Sequence, residues 1–283
     1  MLILEQTLNG VQLGVMLFLM ASGLTLVFGI MNFINLAHGS LYMAGAFTAA
    51  WVQSITGSFL LGIPAAVVVT AALGAALEFG LFRRFYGRSH LDQVLVTFGI
   101  VLVANELTRI VFGPVPLRMP LPSVLAGSIE ILPGLPYPTF RLVVLAVGLA
   151  VAGLLWAIVM KTRIGMWVRA GSSNRLIASA MGVDVDLVFA ALFAVGSALA
   201  GIAGLMAGPI LAVQVGMGEP ILVLALVVTV IGGIGSVKGA FVAALMVGIV
   251  DTFGRVLLPP ALGSMAIFLL MALILAFRPK GLF

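Results

Sequence analysis

The sequence predicts an all-α, polytopic membrane protein with about eight or nine transmembrane helices, broken or re-entrant segments and an internal inverted repeat. Three observations lead there. Hydrophobic residues make up 63 % of the 283-residue chain and charged residues 8 %, against about 45–50 % and 25 % in an average soluble domain. The mean hydropathy of +1.29 describes more apolar surface than a water-soluble fold of this size can hide. The apolar residues form long continuous runs, unlike the short alternating segments of a membrane β-barrel. One membrane domain, residues 1–283, is the natural division.

A helix needs about twenty apolar residues to cross the hydrocarbon core. The first run, 8–30, follows Glu5 and no basic residue, so it lacks the positive start of a cleaved signal peptide. Runs at 41–55, 59–82 and 94–112 follow. The proline-rich stretch from 113 to about 140 cannot span. A fifth run covers 142–160, a polar segment fills about 161–186, and a sixth run covers 187–207. Shorter runs at 221–231, 240–258 and 266–277 are separated by glycine- or proline-rich breaks.

The net charge of +5 is read as orientation, not as nucleic-acid binding. Arg83, Arg84 and Arg88 follow the third run; Lys161, Arg163, Arg169 and Arg175 follow the fifth; Arg278 and Lys280 close the chain. If every run crosses once, these clusters share the cytoplasmic side. The proline-rich stretch and the N-terminus are then external. The absence of cysteine excludes disulfides, thiolate metal sites and cysteine nucleophiles.

Two breaks interrupt the apolar pattern. Residues 29–40 carry Asn32, Asn35, His38, Gly39 and Ser40 between apolar stretches. Backbone freed from helical bonding inside a membrane is tolerated only where protein packs it or a wet cavity receives it. A permeation path and a plain turn capped by Ser40 both satisfy that condition. Residues 231–241 form the second break, with Gly232, Gly233, Gly235 and Ser236. Paired interruptions in two halves of a transporter point to a repeat around a central site, although small residues also gather wherever membrane helices pack closely.

The string GLTLVFGIMNFINLAHGSLYMAGA at 23–46, with IGGIGSVKGAF at 231–241, closely resembles the branched-chain amino acid ABC transporter permease family, in its shorter, LivH-type form. The resemblance runs over essentially the whole chain. It implies an importer in the bacterial inner membrane that takes cargo from a periplasmic binding protein. It also implies a heterodimer with a related second permease and two cytoplasmic ATPases. No cofactor is implied for this chain, because ATP is used by the partners. Urea and short-chain amide permeases share these motifs and stand as alternative cargo classes.

On that resemblance, Arg175, Ala178, Ser179, Ala180 and Gly182 look like the short helix by which such permeases touch their ATPase. Small residues admit it to a groove, and Gly182 can end it in a left-handed conformation. The family's usual acidic residues before the small cluster are replaced here by Ser173 and Asn174. Asn32–Ser40 and Gly232–Ser236 are expected to line the path from opposite halves.

Two charge pairs lie inside the runs. Glu106 with Arg109 is spaced i,i+3, and Asp251 with Arg255 is spaced i,i+4, so each pair shares a helix face. Gate residues and structural glue both explain them. An enzyme is not expected. Ser40 with His38 or His90 are the only letters for a hydrolase, and the nucleophile elbow, the His-Glu-x-x-His metal motif and the phosphate-binding loop are all missing. A secondary transporter coupled through Glu106 or Asp251 is the remaining alternative, and dependence on ATP discriminates it.

Overall fold

The computed structural model describes residues 2–283, with the side chains of Ile164, Ser172, Ser173, Arg175, Leu176, Pro260 and Ala261 outside the description. The described residues form α1 (Leu2–Met31), α2 (His38–Thr56), α3 (Phe59–Gly80), α4 (His90–Phe112), α5 (Thr139–Lys161), α6 (Arg163–Ser173), α7 (Arg175–Ala180), α8 (Val185–Ala207), α9 (Gly218–Gly232), α10 (Val237–Leu257) and α11 (Pro260–Phe277). Six of these, α1, α3, α4, α5, α8 and α10, are long and apolar enough to cross a membrane. The count differs from the expected eight or nine because α2 is interrupted by polar residues, while α9 and the apolar stretch of α11 are short.

Local chemistry sets the helix ends. Side-chain oxygens of Ser58, Ser89, Asn174, Asp184 and Ser236 accept from backbone N–H groups in the first turns of α3, α4, α7, α8 and α10. The left-handed Gly57 closes α2, and its N–H donates to the Gln53 carbonyl.

Helix α1 is the centre of the bundle. Its most apolar window is 78 % buried, against 11 % for α4 at the edge. Glycines make this possible. Gly10 and Gly14 press on the backbone of α10 at Ile249 and Ala244, Gly23 meets Gly196 of α8, and Gly29 meets Gly235 just before α10. Such small residues let helix backbones approach where lipid supplies no hydrophobic drive. Because Gly10 meets residue 249 and Gly29 meets residue 235, α1 and α10 run antiparallel.

These contacts also sort the two ends of the bundle. Gly29, Trp156, Arg169 and Lys238 line one groove. Arg83 donates to the Asp186 carbonyl at the start of α8. The C-terminal residues return beneath α9, where Leu282 N–H donates to the Ile231 carbonyl. The expected basic clusters therefore share one end, called the basic end below. At the opposite end, Tyr137 and Arg141 both donate to Asn9 Oδ1. There the proline-rich stretch folds an antiparallel hairpin, β1 (Ser128–Leu132) with β2 (Leu135–Pro138), where only a loop was expected.

Candidate functional site

The first break is narrower than its sequence suggests. Gly29–Met31 still belong to α1, and His38–Ser40 already belong to α2, leaving 32–37 irregular. Asn32 ends α1 at φ 49°, with its N–H donating to the Phe28 carbonyl. Asparagine is among the few residues that adopt this left-handed conformation readily. Phe33 then anchors among Phe82, Tyr86 and Phe193 at the basic end. Gln93 accepts from Ile34 N–H at 3.1 Å and donates to the Phe85 carbonyl at 3.2 Å.

From there the chain climbs back into the bundle. His38 Nε2 lies 3.2 Å from the Met20 carbonyl. Met20 stands eleven residues, or about 16 Å at 1.5 Å per residue, above the end of α1. Helix α2 thus begins midway through the bundle, with Ala37 and not Ser40 at its N-cap, and ends at the far end, where Gln53 donates to the Pro120 carbonyl.

A second chain segment mirrors this path. Helix α8 ends at the far end, where Gly208 meets Met119. Residues 208–217 turn back inward, held by the Leu117–Val213 bridge. Helix α9 then begins at Gly218, whose backbone abuts that of Gly39, and runs to the basic end. Two helix N-termini meet in mid-bundle, from opposite directions. The expected inverted arrangement is present, but the partner of 32–37 is 208–217, not the glycine-rich 231–241. The latter holds the end of α9, a tight turn at 233–236 and the start of α10.

Gly39 and Ser40 line a cleft with Asn105, Gly218 and Glu219. Its free volume of about 10 Å³ has room for roughly one water. Asn105 Nδ2 donates to Glu219 Oε1 at 2.5 Å. The buried Ser40 Oγ has no hydrogen-bond partner, and neither side-chain polar atom of the fully buried Asn35 has one. Beside the cleft, and sharing Ser40 and Met43 with it, lies an apolar cavity of about 470 Å³ walled by residues such as Leu73, Leu77, Ile100 and Leu107. A polar point at two helix N-termini next to an open apolar groove can hold a small amphiphile by its polar end.

The other expected path residues lie elsewhere. Asn32 is exposed at the basic end. Gly232 packs on Gly239, Gly233 lies beside the carbonyl of Phe283, Gly235 packs on Gly29, and Ser236 caps α10. All four sit about half the bundle's height from Ser40. Glu219 and Asn105, which the sequence reading did not single out, line the cleft. The one available signal was an acidic residue in an apolar surround, Gly218-Glu219-Pro220.

Both spaced charge pairs form, Arg109 to Glu106 at 3.3 Å and Arg255 to Asp251 at 2.8 Å. A third, unforeseen pair joins the fully buried Glu78 to Arg83 at 2.8 Å, and Tyr86 donates to the same carboxylate oxygen. On α7, Ala178 is buried against this chain's own core, whereas Ile177, Ser179, Ala180 and Met181 are exposed. Gly182 takes φ 86°, the left-handed value its position suggested. The side chain of Arg175 lies outside the described residues.

The family described as branched-chain amino acid transport system, permease component, matches residues 6–275. BraD of Pseudomonas aeruginosa, a high-affinity branched-chain amino acid transport system permease protein, is 26 % identical over 99 % of this chain and 95 % of its own length. LivH of Escherichia coli K12, with the same description, is 28 % identical over 99 % and 94 %. A probable LivH of Methanocaldococcus jannaschii is 23 % identical over 88 % and 80 %. No solved structure matches the chain.

Proposed function

This chain belongs to the family of permease components of branched-chain amino acid transport systems, and from that premise we propose that it is the membrane-spanning subunit of an ATP-driven importer of branched-chain amino acids. The observation that carries the reading is the meeting of Gly39 and Gly218 beside a polar cleft and an apolar cavity. A helix N-terminus favours an anion, and Glu219 in the first turn of α9 supplies one here, so the meeting point is a polar anchor for the cargo's charged end. Its branched side chain occupies the apolar cavity between α2, α3 and α4. Urea has no apolar group to place there and a short amide only a small one, so the cavity favours the hydrophobic cargo.

The basic end is cytoplasmic in this reading, by the bias of Lys and Arg. The exposed face of α7 docks an ATPase there. The hairpin end faces the periplasm and receives the binding protein, and a related permease completes the path across the inner membrane. The sequence lacks the phosphate-binding loop motif, so in this reading ATP is hydrolysed by the partner.

The test is reconstitution. The chain is placed in proteoliposomes with its second permease, ATPases and binding protein, and leucine uptake is followed. Uptake that requires ATP and the binding protein is expected. Uptake by this chain alone, driven by a proton or sodium gradient, would instead identify a secondary transporter.

A further inference from the structure

We propose that Glu219 is the contact for the cargo's ammonium group and so selects amino acids over uncharged apolar molecules; this rests on the amino-acid reading above. The first break contains no carboxylate. The second re-entrant segment delivers one to it. Glu219 stands in the first turn of α9 and is the only charged side chain lining the cleft. Among the described residues it makes no ion pair, and its one hydrogen bond is to the neutral amide of Asn105.

The geometry of acceptors matches an ammonium group. An ammonium has three N–H donors and no acceptor. Three residues with side-chain oxygens line the cleft, on three different helices: Glu219 on α9, Ser40 on α2 and Asn105 on α4. Ser40 Oγ is buried and unpartnered. Asn105 donates from its NH₂ to Glu219, and its carbonyl oxygen is a further acceptor. The cleft's room for about one water also suits an ammonium group. The neighbouring apolar cavity, reached past Ser40 and Met43, leaves the aliphatic side chain on the correct side of that group.

Glu219 also faces the positive end of the α9 dipole, and that favourable placement alone is the competing account. The two separate in the assembled transporter. Glu219→Gln keeps size and hydrogen bonding but removes the charge. A charge-assisted contact is worth roughly ten- to a hundredfold in affinity. Leucine uptake is therefore expected to fall at least about tenfold, with ATP hydrolysis stimulated by the binding protein staying within about twofold. Glu219→Asp is expected to recover part of the uptake, and Ser40→Ala to lose a smaller part. Uptake by Glu219→Gln within twofold of the unaltered complex overturns the proposal. So does a parallel loss of uptake and ATP hydrolysis, which is the behaviour of a residue that only holds α9 in place. An unaltered complex that takes up no leucine overturns the functional reading itself, whatever the variants do.

Discussion

Single glycines carry much of the packing. A Cβ on Gly23 would strike the backbone of Gly196, and one on Gly45 would strike Gly201, so no flexible side chain can yield. Overpacking of this kind costs about 1–3 kcal/mol or more. Gly23→Val is expected to lower thermal stability in detergent measurably. Gly153→Ala, on an open face of α5 with nothing near it, should be neutral or stabilising by up to about 1 kcal/mol. Equal melting of both variants would contradict the packing account. Which charges pair was legible only where spacing is local. Glu106–Arg109 and Asp251–Arg255 follow from one helical turn. Glu78–Arg83 crosses a helix end, where the i,i+4 rule lapses, and Asn105–Glu219 joins residues 114 positions apart. No periodicity encodes such a contact, and so the carboxylate that lines the cleft stayed hidden.

At the scale of elements, the helices were readable, because apolar runs are local signals, whereas the one N-cap named from sequence was misplaced: Ala37, not Ser40, precedes α2. The second re-entrant segment was not. Residues 208–217 contain Gly208, Pro209 and Gly216 among apolar residues, a composition that reads equally as an outer connection. Only its contacts with Leu117 and Met43 turn it inward. Helix α7 shows the same division. Its small residues and the left-handed Gly182 were legible, yet three-dimensional packing decides which of them faces outward. Ala178 packs inward, so bulk there disrupts this chain rather than a partner. Replacing exposed Ala180 and Met181 by Trp and Asp is expected to abolish transport-coupled ATP hydrolysis while leaving the melting profile unchanged. Normal coupling in that double variant would remove α7 from the ATPase contact.

For the whole molecule, the basic end and the hairpin end define an orientation that chemical labelling can read. The sequence has no cysteine, so a single introduced thiol gives a clean signal. Gly87→Cys, exposed between Arg84 and Arg88, should resist an impermeant thiol reagent in intact cells. Ser123→Cys, exposed in the proline-rich stretch, should be labelled. The reverse pattern would invert the molecule. Fold class and end-to-end polarity were thus readable from run length and basic clusters, whereas the order of packing around α1 was not. That packing has a consequence in time. Helix α1 is made first, but Thr25 finds its partner Thr229 only 204 positions later. At roughly 5–20 residues per second of synthesis, the wait is on the order of 10–40 s. Throughout it, the glycine-lined face of the central helix meets lipid or an insertion factor in place of its late-made neighbours α9 and α10. Assembly around α1 is therefore paced by translation of α9 and α10.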